Sequence, residues 1–398
     1  MSAALRSRFP ILQPGLAYLD SAASAQTPDL VLEAVRNFET ASRANVKRGV
    51  HRLAEAASEA YANARSQVAS YLAVPAAEIV FTSGCTAALN LVAHSFGALL
   101  KQGDAILLSA LEHHSNIVPW QMLARRTNIE LRFLGVDAEG RIDLANLDAL
   151  LDARVKLVSL AHVSNVTGAV LDVARVVAAA KRAGARVLLD GAQRAPHGPL
   201  DLAALGVDFY AFGGHKVFAP HGVGVLWARG DLLDMMPPFL GGGEMISRVE
   251  LHASTWAAAP AKFEAGTPPI GAAIGLGAAC AWLATLDWSR IAADETRLLG
   301  RLLDGLAQTP GVRVLGPQSL QARAPVVSFD LAGAHPHDVC QIMDESGVAL
   351  RGGHHCAQPL HAYFDLAGTT RASLALYSDD TDIDAFFAGL ARVRKILL

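Results

Sequence analysis

A lysine at the end of an apolar run is the first residue whose chemistry stands out. Asp208-Phe-Tyr-Ala-Phe-Gly-Gly-His-Lys216 reads as a strand over 209–212 that breaks at two glycines and delivers Lys216 at its end. Such a lysine either turns its flexible stem to solvent or sits partly desolvated, with a lowered pKa, as an amine nucleophile. A second buried run, Val187-Leu-Leu-Asp190-Gly-Ala-Gln193, ends in a carboxylate. A buried Asp needs a charged or hydrogen-bonding partner, and a helix cap or structural ion pair would serve as well as a ligand. Cys356 follows Gly352-Gly-His-His355, a polar loop unsuited to core packing. Neighbouring imidazoles and backbone amides there favour the thiolate, which is the nucleophile.

These residues need a frame, and the chain supplies one. Apolar runs of strand length at 78–82, 105–109, 130–134, 155–161, 186–190, 209–212 and 223–227 alternate with helical patterns at 51–73, 87–100, 117–126 and 172–183. A further helical pattern at 28–45 precedes them. That order predicts a doubly wound, mostly parallel sheet with helices on both faces. Ligands bind such sheets outside the carboxyl ends of the strands. Thr86, His113, Asn165, Asp190, Gln193, His215 and Lys216 all fall at or just past those ends. A long irregular segment over 241–269 and helices at 270–286 and 291–306 follow. They lead to a smaller α/β unit: strands at 312–315, 325–331, 348–350 and 371–376, and helices at 336–346 and 380–396. The reading divides the chain into a large domain over 15–290 and a small C-terminal domain over 291–398, with residues 1–14 packed on the latter.

The chain has 398 residues, a formal charge of −3 and 52% hydrophobic residues, enough for two cores. No basic block or arginine stripe points to nucleic acid or an anionic membrane. The uncharged run 265–286 opens Gly-Thr-Pro-Pro and is rich in Ala and Gly, so it reads as a buried helix, not a membrane span. No signal-peptide pattern opens the sequence. Four scattered cysteines (Cys85, Cys280, Cys340, Cys356), without CxxC spacing, suit a reducing cytoplasm. Cys280 and Cys340 lie in helical patterns and read as core residues. Metal ligation by His354, His355 and Cys356 is not expected, because adjacent residues cannot easily share one tetrahedral ion. No G-x-G-x-x-G opens a helix after an early strand, which argues against a nicotinamide site.

Taken together, Asp190 and Lys216 after the next strand resemble a pyridoxal-phosphate (PLP) site, in which a carboxylate keeps the pyridine nitrogen protonated and the ring acts as an electron sink. The resemblance extends further. Tyr18-Leu-Asp-Ser-Ala-Ala23, Asp190-Gly-Ala-Gln193, Gly214-His-Lys216, Phe263-Glu-Ala-Gly-Thr-Pro268, Arg351-Gly-Gly-His-His-Cys356 and Arg371-Ala-Ser resemble the class V aminotransferase superfamily. More closely, they are similar to the group II cysteine desulfurases of the SUF and CSD type. The motifs occur in the family's order almost throughout the chain.

The resemblance implies a fold-type I PLP-dependent transferase acting on L-cysteine, with selenocysteine or cysteine sulfinate lyases as the neighbouring activities and a silent scaffold of the same fold as the non-catalytic alternative. In it, Lys216 is the Schiff-base lysine and proton carrier, Asp190 pairs with the pyridine nitrogen and Gln193 with the phenolic oxygen. His113 stacks on the ring, and its neighbour His114 makes a structural hydrogen bond. The turn Gly84-Cys85-Thr86, His215 and Thr267 of a partner subunit hold the phosphate, since a helix start favours an anion. Asn165 sits by the ring oxygen and the substrate carboxylate. Arg371, with Arg351 as a weaker candidate, clamps that carboxylate through the guanidinium fork. Cys356 takes the sulfur as a persulfide, releases alanine and hands the sulfur to an acceptor protein docking near residues 351–359. A cytoplasmic homodimer, iron–sulfur cluster assembly or related sulfur metabolism, and no metal complete the expectation. Two positions depart from the family pattern: Gly213 stands where serine is usual and Cys85 where threonine is common, each implying one hydrogen bond fewer in the phosphate cup.

Overall fold

The computed structural model describes residues 5–47 and 49–398. Seven strands form the main sheet in the spatial order Ile79–Thr82, Gly224–Ala228, Phe209–Gly213, Arg186–Asp190, Val155–Ala161, Ala105–Ser109, Glu130–Leu134. Six of them are parallel, and Gly224–Ala228 runs antiparallel to both its neighbours. Sheets covered on both faces read as continuous apolar runs, and the structure shows why here. Ile79 and Phe81 point into one core while Val80 points into the other. Leu107, Leu160, Leu189 and Tyr210 join the first core, beneath the helices Arg52–Tyr71, Val173–Ala183 and Ile270–Ala284. Ile106, Leu157, Leu188 and Phe209 join the second, under the helices Cys85–Ser95 and Val118–Thr127.

The small domain is an antiparallel sheet in the order Val312–Leu315, Val326–Leu331, Thr369–Ser373, Arg351–Gly353. The helices Trp288–Ala307, Pro336–Asp344 and Asp380–Leu397 bury their apolar faces on it around Phe329 and Phe386. The boundary expected near residue 290 falls inside one helix. Ile291 packs in the large core and Leu298, Leu302 and Leu306 in the small one, so Trp288–Ala307 carries the chain from one core to the other.

The chain start is shared between the cores. Arg6 ion-pairs with Asp382 at 2.9 Å, while Phe9 packs edge-on against Tyr377 and Trp282. Ala17–Tyr18 adds a parallel strand beside Val348–Ala349. Residues 1–4 of the expected N-terminal segment lie outside the described residues.

Several expected bounds shift. The helix expected over 28–45 is Asp29–Asn37 followed by a wider turn, Phe38–Ser42. The helix expected from 87 already begins at Cys85, and the strand expected over 371–376 is Thr369–Ser373. The irregular stretch 241–269 contains a hairpin, Ile246–Val249 with Ser254–Trp256. Its strands, mostly exposed and polar, lack the periodicity that would reveal them. Among the described residues no single helix is long and apolar enough to cross a membrane; Ile270–Ala284 buries Ile270, Leu276 and Leu283 in the large core.

Candidate active site

The carboxyl ends of the parallel strands open into a cavity of about 340 Å³ that the small domain closes with Arg351, His355, Cys356 and Arg371. Lys216 and Cys356, which come from different domains, line the same space. So do Cys85, Thr86, His113, Asn165, Asp190, Gln193 and His215. Of the expected site residues only Thr267 lies elsewhere, exposed on this chain and away from its own cavity.

Lys216 occupies the last position of a tight turn, Gly214–Lys216, directly after the strand Phe209–Gly213. Its amine has no hydrogen-bond partner among the described residues. Burial pushes its pKa below the ordinary lysine value even though the Asp190 carboxylate pulls the other way. A neutral amine is therefore more accessible here than on a surface lysine.

Asp190 is only 6% exposed. Its Oδ1 accepts from the Ala192 N–H at 3.0 Å and from the Cys85 thiol at 3.4 Å. Its Oδ2 carries no hydrogen bond among the described residues. The Cys85 side chain, in the turn expected to hold the phosphate, therefore turns to this carboxylate. It turns inward because position 85 is the first residue of a helix that starts above the sheet.

The turn itself keeps its anion chemistry. Gly84, the N-cap of Cys85–Ser95, gives no side-chain cap, so the first N–H groups of the helix stay uncommitted. A Cβ on Gly224 would lie 2.4 Å from the Gly84 backbone, which is why the neighbouring strand has glycine at that point. Thr86 shares its hydroxyl with Ser115 at 2.7 Å. The His215 ring stacks on His221 at 5.5 Å and 8°. Burial, with help from Lys216 and His221, lowers His215 to about 4.

His113 accepts the Ser115 N–H on Nδ1 at 3.1 Å, so the neutral ring carries its proton on Nε2. Burial lowers it to about 4, partly opposed by Asp190. His114 makes the structural bonds expected of it: its N–H donates to the Cys356 carbonyl at 2.8 Å, and its Nε2 accepts from the Gln358 N–H at 3.1 Å. Both tie the sulfur-bearing loop to the large domain. His355 and Cys356 both have left-handed backbones, φ 51° and 58°. Consecutive non-glycine residues there are strained and persist only when their surroundings over-determine them. Asn165 supplies another restraint, donating Nδ2 to the His355 carbonyl at 2.6 Å.

Arg371 is 2% exposed. Its Nη1 donates to the Asn165 carbonyl at 2.9 Å and its Nη2 to Asp20 Oδ1 at 3.1 Å, while Nε is buried without a partner. An orphaned guanidinium N–H beside the cavity fits an incoming carboxylate. Arg351 pairs in register with Arg371 across the sheet, is exposed at the cavity rim and has no ion-pair partner among the described residues. Gln193 commits one amide N–H to the Ala22 carbonyl at 2.9 Å and keeps a second to offer.

Asp20 and Ser115 were not singled out in the sequence. Asp20 stands in the quoted motif 18–23, yet nothing in its neighbourhood announces an arginine partner from the far end of the chain. Cys280 is fully buried, as expected, and Cys340 is half-buried.

The donor set fits pyridoxal phosphate: an unpaired carboxylate oxygen for a pyridine N–H, an unpaired amine for an aldehyde, and uncapped helix N–H groups for a phosphate. The comparisons agree. The family model for aminotransferase class-V matches residues 17–386. The chain is 47% identical over 401 residues to the probable cysteine desulfurase 2 of Mycobacterium leprae, covering 98% of this chain and 96% of that protein. The crystal structure of the cysteine desulfurase CsdA of Escherichia coli, in an S-sulfonic acid form, superposes with a TM-score of 0.93 at 40% identity, covering 100% and 99% of the two chains. The cystine C–S lyase C-DES has been solved with its product cysteine persulfide, at TM-score 0.83, 29% identity and 97% and 98% coverage. A variant with glycine covalently linked to the PLP cofactor gives TM-score 0.82, 28% identity and 98% coverage of both chains.

Proposed function

The chain belongs to the class V aminotransferase family and is a PLP-dependent cysteine desulfurase; we propose that Lys216 moves the proton and Cys356 takes the sulfur. The observation that carries this division of labour is that the two side chains, from different domains, line one cavity. When bound, PLP supplies the electron sink that makes the Cα–H bond of the amino acid breakable.

The protein residues do the rest. Asp190 Oδ2 would hold the pyridine N–H, Gln193 would offer its second N–H to the phenolic oxygen, and His113 would cover the ring. The N-terminus of Cys85–Ser95, with Thr86 and His215, would take the phosphate. Arg371 grips the substrate carboxylate through Nε–H and so fixes which bond at Cα faces Lys216. The lowered lysine pKa lets Nζ accept the Cα proton. Cys356 Sγ then attacks the substrate sulfur. An S–S bond forms as the Cβ–S bond breaks, the bonding pair stays with carbon, and protonation there gives the methyl group of alanine. The enzyme is left with a persulfide on Cys356.

Delivery of that sulfur to an acceptor protein, for iron–sulfur cluster assembly or related sulfur metabolism, is part of the same proposal. Support comes from the position of Cys356 at the cavity edge, beside the exposed Arg351, His354 and Gln358. A homodimer in the reducing cytoplasm completes it. Thr267 is exposed and outside its own cavity, and Leu251 at the hairpin tip is 98% exposed, as suits surfaces met by a second copy. Alanine and sulfide production from cysteine, measured for the wild type, Lys216→Ala and Cys356→Ser, tests the assignment. Both variants should lose desulfuration, and Cys356→Ser retaining it would overturn the role of the thiol. Elimination from cysteine sulfinate or selenocysteine that survives in Cys356→Ser would mark the neighbouring lyase activity.

A further inference from the structure

Two donors converge on one oxygen of Asp190. The Ala192 N–H lies at 3.0 Å and Cys85 Sγ at 3.4 Å, both on Oδ1, and Oδ2 is left without a partner on a residue 94% buried by its 6% exposure. Two donors on the same oxygen bias the carboxylate toward one orientation. The uncommitted oxygen therefore keeps its full acceptor capacity and a preferred direction. Cys85 Sγ has no second hydrogen-bond partner among the described residues.

We infer that Cys85 is a positioning residue for the cofactor: its S–H locks Oδ1 of Asp190 so that Oδ2 alone meets the pyridine N–H. The inference rests on the reading of the cavity as a PLP site. Burial and the charge of Asp190 both raise the thiol pKa well above its ordinary value, so sulfur stays protonated and remains a donor. A thiol is a weaker donor than a hydroxyl. It orients the carboxylate while draining little of its charge, which leaves Asp190 a strong partner for the ring nitrogen.

The thiol can be watched directly in cofactor-free protein, because the S–H stretch falls in a clear part of the infrared spectrum. One S–H band should be displaced by its carboxylate acceptor. Asp190→Asn should move that band back toward the position of a free thiol, and Cys85→Ser should remove it. All S–H bands unmoved by Asp190→Asn would overturn the inference.

Equilibrium titration of PLP into apo-protein provides the second measurement. Cys85→Ala should raise Kd about two- to tenfold, the effect of one net hydrogen bond. Cys85→Ser, which restores a donor, should stay within about twofold of the wild type. Wild-type affinity in Cys85→Ala would equally sink the idea. Should Cys85→Ala fail to fold by circular dichroism, the infrared pair decides alone. Failure of the wild type to bind PLP would instead strike the functional reading, which the infrared measurement does not use.

Discussion

Arg371 Nη2 donates to Asp20 Oδ1 at 3.1 Å, a bond between residues 351 positions apart in the chain. It joins an inner strand of the small domain, Thr369–Ser373, to the segment that leads into the large one. Together with the Asn165 carbonyl it fixes the guanidinium and leaves Nε without a partner.

Asp20→Asn should therefore loosen the aim of Arg371 more than it harms the chemistry. Losing a charge-assisted hydrogen bond is worth about 1.5–3 kcal/mol, so KM for cysteine should rise by one to two orders of magnitude with a smaller change in kcat. Steady-state kinetics on Asp20→Asn beside Arg371→Lys would show it. An unchanged KM would mean that packing alone orients Arg371.

Glu264 anchors the segment that carries Thr267. It accepts from Arg65 at 2.7 and 2.8 Å, from the Tyr61 hydroxyl at 3.1 Å and from the Phe81 N–H at 2.9 Å. Removing one partner of a buried pair strands the other charge, at a cost of about 3–5 kcal/mol. Glu264→Ala should lower the stability measured in urea by that amount. A loss below about 1 kcal/mol would show that Arg65 finds water instead.

Acid should destabilise the fold in a defined window. Burial holds His113 and His215 at about 4 and His162 at about 3, against an ordinary value of 6.5. Buried His355 is lowered further, to about 2. Between pH 6.5 and 4 the unfolded chain therefore binds protons at these four histidines that the folded chain refuses, and stability falls as pH drops. Two buried carboxyls oppose this: Glu112 is raised to about 7 and Asp382 to about 6. With His114 and His361 also lowered and Asp20 also raised by burial, the depressed histidines still outnumber the raised carboxyls, so Tm should fall from pH 7 to pH 5. A flat or rising Tm over that interval would contradict the balance.

Gly213 is the remaining departure from the family pattern in the phosphate region. A Cβ there would lie 3.1 Å from His215 and 3.5 Å from the Cys85 N–H. Gly213→Ser adds a hydroxyl beside the helix start if the half-buried His215 ring shifts by a few tenths of an ångström. PLP affinity should then tighten about two- to tenfold, one net hydrogen bond. Unchanged or weaker binding in a titration would show that the imidazole does not yield.

Strand-end positions gathered Lys216, Asp190 and His113 along one edge, and the family resemblance of the loop motif joined Cys356 to them, because each of these patterns is visible over a few residues. Strand ends on a parallel sheet share an edge, so side chains there converge without any knowledge of loops. The partners that tune them were not visible. Asp20 on Arg371 and the Cys85 thiol turned toward Asp190 join residues 351 and 105 positions apart. Such pairs are decided by how two domains close and which way a helix start faces, and no local periodicity encodes either. The same limit hid the hairpin within 241–269 and let one helix, Trp288–Ala307, run through an expected domain boundary. The sequence alone determined which chemistry the chain carries. Tertiary packing decided how each group is held, since hydrogen-bond geometry depends on ångström-scale placement that only the closed fold supplies.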